Sequence, residues 1–152
     1  MESINFNNID YETLIVEDDK IISKIHELRI NKLTPSNCIT CFNGKEAIDY
    51  LDGRSENKRT LVLLDINMPV MNGWEFLEIC QSKCYGFQIV VVIITSSLFD
   101  KERQRAKGYD LVKGYYSKPL KPHEFEEILS LERLTDPSQF QLTKIKKAFY
   151  QQ

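Results

Sequence analysis

The chain has 152 residues, 42% of them hydrophobic, which suits one ordinary domain with a buried core plus a short appendage. A formal net charge of -2 and a pI near 5.8 supply no general field for nucleic acid, and no stretch is both basic and interleaved with aromatics, so direct DNA or RNA binding is not expected. The start, residues 1–12, is polar and acidic rather than signal-like, and the longest apolar run, Ile89 to Ile94, is too short for a bilayer, so a soluble cytoplasmic protein without membrane attachment is expected.

In chain order, Leu14-Ile15-Val16 reads as a strand near 13–17 that runs into Glu17-Asp18-Asp19, followed by a helical pattern near 20–32. A second strand near 37–42 carries Cys38 and Cys41, whose offset of three puts them on opposite faces, where they cannot chelate together. Asn43-Gly44 opens a helix near 44–52, with Ala47, Ile48 and Leu51 as its apolar stripe and Lys45, Glu46 and Asp49 outward. The run Leu61 to Leu64, in a strand near 60–65, ends in Asp65-Ile66-Asn67-Met68-Pro69, and Asn72-Gly73 opens a helix near 73–83. Cys80 and Cys84 are expected on one face there, with no second ligand pair, so no cysteine is given a metal or disulfide role. Strand 89–95 runs into Thr95-Ser96-Ser97, a helix near 98–108 closes at Gly108, and strand 112–117 runs into Lys118-Pro119 before a helix near 121–133.

This alternation requires right-handed crossovers and a parallel sheet with helices on both faces, a five-stranded doubly wound α/β domain. The domain is expected to occupy residues 1–134. The remainder, 135–152, begins with Asp136-Pro137 as an N-cap and first helical residue, then places Leu142, Ile145 and Phe149 at helical spacing beside Lys144, Lys146 and Lys147. A short amphipathic helix is expected, packed on its own domain or fraying as a terminus, or else used for dimerisation or partner docking.

Four strand ends thus deliver carboxylates, a hydroxyl and an ammonium to one sheet edge. Carboxylates at Glu17, Asp18 and Asp65 repel one another and call for a cation, and all-oxygen ligation suits Mg²⁺, with Asp18 and Asp65 as direct ligands and Glu17 acting through water. Beside such an ion Asp65 can attack a phosphoryl group as a nucleophile and form an acyl phosphate, with Lys118 pairing to the new oxygens and Thr95 donating a hydrogen bond. An acidic turn capping the first helix is the plainer reading of Glu17-Asp18-Asp19 taken alone.

These residues resemble the receiver domain of two-component response regulators, the family of the chemotaxis response regulator, over about 12–134. The resemblance rests on Val16-Glu17-Asp18-Asp19, on Leu63 to Pro69 with Met71-Asn72-Gly73, on Ile94-Thr95-Ser96, and on Gly114 to Leu120. It implies a sheet of order 2-1-3-4-5 with a flavodoxin-like fold. It further implies Asp65 as phosphoacceptor, Glu17 and Asp18 as the acidic pair, and Asn67 as donor of a backbone carbonyl to the metal. Thr95 and Tyr115 fall at the family's switch hydroxyl and switch aromatic, Lys118 at its lysine, with a cis peptide before Pro119. The partners implied are a sensor histidine kinase or phosphotransfer protein and a downstream protein, with Phe99, Tyr109 and Tyr116 as candidate contacts.

Three other readings compete. A dehalogenase-type phosphatase would want an aspartate two positions after the nucleophile, where Asn67 stands. A flavodoxin-like cofactor carrier would want a phosphate-cradling loop where Glu17-Asp18-Asp19 stands. The nearest rival is a receiver-like scaffold that does not depend on phosphorylation. Too few residues follow the fifth helix for an output domain, so a stand-alone signalling receiver without external turnover is expected. His26 and His123 are read as surface or semi-buried helix residues, not phosphoacceptors.

Overall fold

The computed structural model describes residues 11–35, 37–54 and 58–132, so the amphipathic helix expected within 135–152 lies outside the described residues. The elements run β1 (Tyr11–Val16), α1 (Lys20–Leu33), β2 (Asn37–Cys41), α2 (Gly44–Gly53), β3 (Arg59–Leu64), α3 (Gly73–Lys83), β4 (Ile89–Thr95), α4 (Asp100–Ala106), β5 (Val112–Ser117) and α5 (Pro122–Glu132). All five strands are parallel in one sheet of order β2-β1-β3-β4-β5. This is the doubly wound, flavodoxin-like arrangement the sequence implied.

The apolar run Leu61 to Leu64 of β3 and the β-branched run of β4 are buried throughout because side chains alternate between two covered faces. On one face Leu14, Val16, Val62, Leu64, Val91 and Ile93 pack with α2, α3 and Ala106 of α4. On the other, Ile15, Leu61, Leu63, Val90, Val92 and Ile94 pack with Ile30 of α1 and with Phe125, Ile128 and Leu129 of α5. Cys41 belongs to the first cluster while Cys38 packs against the second, as their spacing required.

Two helices start by the same device. Asn43 caps α2 by accepting from Glu46 N, and Asn72 caps α3 by accepting from Glu75 N, with the Glu75 side chain reaching back to Asn72 N. Each cap is followed by a glycine for which a Cβ has no room: at Gly73 it would lie 2.6 Å from the Asp65 carbonyl oxygen, and at Gly44 2.9 Å from that of Met71.

Some expectations need correction. α4 spans Asp100–Ala106 rather than 98–108, because Ala106 is its only buried residue and Phe99 at its N-cap makes no side-chain cap. Lys107 is the C-cap and Gly108 lies one residue beyond it. Cys84 sits past α3 as a left-handed C-cap with φ 48°, exposed, and so does not share a helix face with the buried Cys80. His26 is buried, its ring edge-on to Phe125 at 5.6 Å, not a surface residue; His123 is exposed.

Candidate functional site

Backbone hydrogen bonds carry the sheet's pairing one residue past the strands and thereby fix the site. Asp65 N donates to Val16 O at 2.9 Å, Glu17 N to Cys41 O at 3.0 Å and Lys118 N to Thr95 O at 2.9 Å. Gly73 N donates to Ile66 O at 2.9 Å, drawing the start of α3 against the segment after Asp65. The Lys118-Pro119 peptide is cis, as the resemblance implied.

Three of the expected site residues meet there as carboxylates. Glu17 and Asp65 are buried, Asp18 is exposed, and one oxygen from each lies within 4.8 Å of the others. Lys118 reaches into this cluster, pairing with Glu17 Oε1 and standing 3.3 Å from Asp65 Oδ1. Asp19 faces the other way, accepting from Ile21 N at 2.9 Å and Ile22 N at 3.1 Å as the N-cap of α1, while its own N–H donates to Glu17 Oε2 at 3.2 Å. The acidic turn is therefore both a cap and a site wall.

Burial governs the electrostatics. It pushes the Glu17 carboxyl up to about 7, with the Asp65 charge adding to the rise and Lys118 opposing it. Burial also raises Asp65, against the pull of Lys118. Burial disfavours the Lys118 ammonium, but Glu17 and Asp65 outweigh it and hold that group above its ordinary value. Two crowded carboxylates share one ammonium, and the set is short of positive charge.

The remaining expected residues are arranged less simply. Asn67 lines the same cleft and is exposed. Thr95 is wholly buried at the end of β4, and its Oγ1 accepts from Ser97 N at 3.1 Å, so Ser96 rather than Thr95 lines the cleft. Tyr115 already sits inside the protein, 2% exposed, and its hydroxyl is buried without a hydrogen-bond partner among the described residues. Of the expected partner contacts only Phe99 is exposed; Tyr116 is buried and donates to Glu127, while Tyr109 stacks on Trp74 and donates to Glu78.

The cleft is about 540 Å³ and extends beyond the polar edge along an apolar wall of Ile22, Ile25, Leu120 and Phe125, with His26 among them. Burial and the nearby Lys118 charge push His26 down to about 4, so its ring is neutral. Sequence reasoning missed this wall, although the helical spacing of Ile22, Ile25 and His26 was there to be read.

No helix among the described residues is long and apolar enough to cross a membrane. Residues 13–130 match the family model of the response regulator receiver domain. A probable transcriptional regulator, ycf29, of Porphyra purpurea is 34% identical over 81% of this chain and 55% of its own length, and one of the same name in Pyropia yezoensis is 32% identical over 80% and 53%. The chain thus spans about half the length of these curated relatives. Among solved structures, a two-component response regulator from Legionella pneumophila superposes with a TM-score of 0.70 at 29% identity, covering 81% of this chain and 98% of that one. The sheet order, the carboxylate cluster with its lysine and these matches lead to one assignment: the chain belongs to the response regulator receiver domain family of two-component signalling.

Proposed function

We propose that this receiver accepts a phosphoryl group on Asp65 from a histidine kinase or phosphotransfer protein and uses the modification to alter a protein-binding face. The observation that carries the reading is the placement of Asp65: a buried carboxylate at the end of a central strand, open to the cleft, with Lys118 at 3.3 Å and two further carboxylates beside it. Such a group is held in position to attack, and the charge that develops on the phosphoryl oxygens meets an ammonium already in place.

The carboxylate cluster of Glu17, Asp18 and Asp65 fits Mg²⁺; Asp18 and Asp65 would be direct ligands, Glu17 would act through water, and Asn67, which lines the same cleft, would supply its backbone carbonyl. Bound there, such an ion would supply positive charge that offsets the carboxylate repulsion and the charge on phosphoryl oxygens. The chain's own residues do the rest. The Asp65 oxygen forms the new P–O bond while the bond to the donor nitrogen breaks, Lys118 leaves its pairing with Asp65 to hold a phosphoryl oxygen, and the Thr95 hydroxyl, which is buried behind the cleft in this structure, turns toward the cleft to donate to another. Residues 1–134 form the receiver unit and 135–152 an extension, acting in the cytoplasm without turnover of an external substrate.

The test is intact mass after treatment with a small phosphodonor such as acetyl phosphate. The wild type gains one labile phosphoryl group in Mg²⁺ and Asp65→Asn gains none; equal labelling of the two proteins overturns the assignment. Asp18→Ala keeps the fold and loses labelling, and normal labelling of the wild type without divalent ions overturns the metal part.

A further inference from the structure

Two polar atoms at the seam between α4 and β5 are buried without a hydrogen-bond partner among the described residues: the Tyr115 hydroxyl and Glu102 Oε2. An unpaired buried donor or acceptor bears its full desolvation cost, so a fold seldom keeps two of them at one seam. The two are chemical complements, since a carboxylate oxygen accepts and a phenol can donate to it.

The packing of α4 brings them to the same ring. Ala106 is wholly buried in the cluster that contains Tyr115, which seats α4 against β5 through its smallest side chain. One turn earlier, Glu102 and Arg103 are consecutive and so lie about 100° apart around the helix. Arg103 covers the face of the Tyr115 ring, its guanidinium carbon 5.4 Å from the centroid, which leaves the hydroxyl edge to Glu102. The electrostatics agree. Burial raises the Tyr115 phenol, the Glu102 charge raises it further and the Arg103 charge opposes the rise, so the hydroxyl keeps the proton it would donate.

We propose that Glu102 is a positioning residue for Tyr115: its Oε2 accepts the hydrogen bond of the Tyr115 hydroxyl, directly or across one bridging water, and holds the ring inward. Glu102 is also tied to the turn before α4, because its N–H donates to Phe99 O at 3.1 Å. That turn presents Leu98 and Phe99, 86% and 74% exposed. One residue thereby links the place of the Tyr115 ring to an exposed apolar pair, and outward movement of the ring breaks the bond and frees the turn to reorient. This consequence rests on the proposed function, whereas the bond itself does not.

The test is a thermodynamic cycle on the full, unphosphorylated chain with Glu102→Leu, Tyr115→Phe and the double variant, each unfolded in denaturant. Tyr115→Phe removes the hydroxyl and keeps the ring, so the cycle reads the bond and not the packing. Each single substitution should lower the folding equilibrium constant, and the double variant should lie about fivefold or more above the product of the two single effects. Glu102→Gln, which keeps an acceptor oxygen, should stay nearer the wild type than Glu102→Leu does. In parallel, 3-fluorotyrosine is incorporated and the Tyr115 resonance is identified by its loss in Tyr115→Phe. It should move toward the position of a solvent-exposed tyrosine in Glu102→Leu and hold its place in Glu102→Gln. Additive single effects, a Tyr115→Phe protein more stable than the wild type, or a Tyr115 resonance indifferent to Glu102→Leu would overturn the proposal. Labelling of Asp65 by acetyl phosphate is read separately. Its absence overturns the proposed function and leaves the cycle untouched, whereas additivity with normal labelling overturns the Glu102 assignment alone.

Discussion

Val70 is the most strained residue of the site's surroundings: a β-branched side chain at φ 67°, 79% exposed, in the loop that leads from Asp65 to α3. A left-handed non-glycine residue costs about 1–3 kcal/mol, and the side chain recovers little by packing because it lies in solvent. Val70→Gly should therefore stabilise the protein by about 1 kcal/mol after the glycine's larger unfolded-state entropy is deducted, read as a higher denaturant midpoint. An unchanged or lower midpoint would show that the loop is held by something other than its local backbone. Gly73 is the opposite case. A methyl group there meets the backbone of Asp65 and Ile66, so Gly73→Ala should destabilise by about 1–3 kcal/mol and slow labelling of Asp65, with denaturation and intact mass as the two measurements. Asp65, Asp18, Glu17 and Lys118 were legible in the sequence because strand ends announce themselves by composition. The need for glycine at 73 was not, because the atoms that forbid a Cβ come from another element.

At the scale of elements the helices are fastened unequally. α3 begins with a reciprocal cap between Asn72 and Glu75, and Asn72→Ala should cost about 1 kcal/mol of unfolding free energy. α4 has no such cap, buries only Ala106, and rests on two guanidinium groups: Arg105 4.4 Å from the Trp74 ring centroid and Arg103 5.4 Å from that of Tyr115. Each such contact is worth about 0.5–1 kcal/mol where water reaches it. Amide exchange in α4 should accordingly be the fastest among α1 to α5 and accelerate further in Arg105→Ala; protection equal to that of α3 would contradict this. The same weakness explains why periodicity overran this helix at both ends. Its residues are mostly charged, so no apolar stripe marked where it starts, whereas the Asn-Gly pairs fixed the starts of α2 and α3 to the residue. Under the proposed function, α4 is the helix that a change at Thr95 or Tyr115 would reach, because Ser97 N donates to the Thr95 hydroxyl and Arg103 lies over the Tyr115 ring.

For the molecule as a whole, two buried groups oppose each other in pH. Glu17 is raised from 4.5 to about 7, so the folded state binds its proton more tightly; that contribution is complete below about 4.5 and is lost as pH rises through about 7. His26 is lowered from 6.5 to about 4, so its contribution is complete above about 6.5 and is lost as pH falls through about 4. Each swing is on the order of 3 kcal/mol at most, and they cover nearly the same window. Because Asp65, also raised by burial, adds to the Glu17 side, unfolding free energy should fall with acid more steeply in Glu17→Gln than in the wild type and fall with base more steeply in His26→Phe than in the wild type. Parallel pH profiles for the three proteins would refute the opposition. The topology that buries these groups was readable from the alternation of strands and helices, but which histidine would be buried depended on α5 lying across α1, which no local pattern encodes. The main-chain bonds from Asp65 to Val16, Glu17 to Cys41 and Lys118 to Thr95 have one more consequence, for how such a site can change over time. Because the peptide groups and not the side chains anchor each position, a replaced acid, hydroxyl or lysine leaves its neighbours in register. Lineages of this fold can therefore lose or retune the chemistry by single substitutions without first having to re-establish the architecture that carries it.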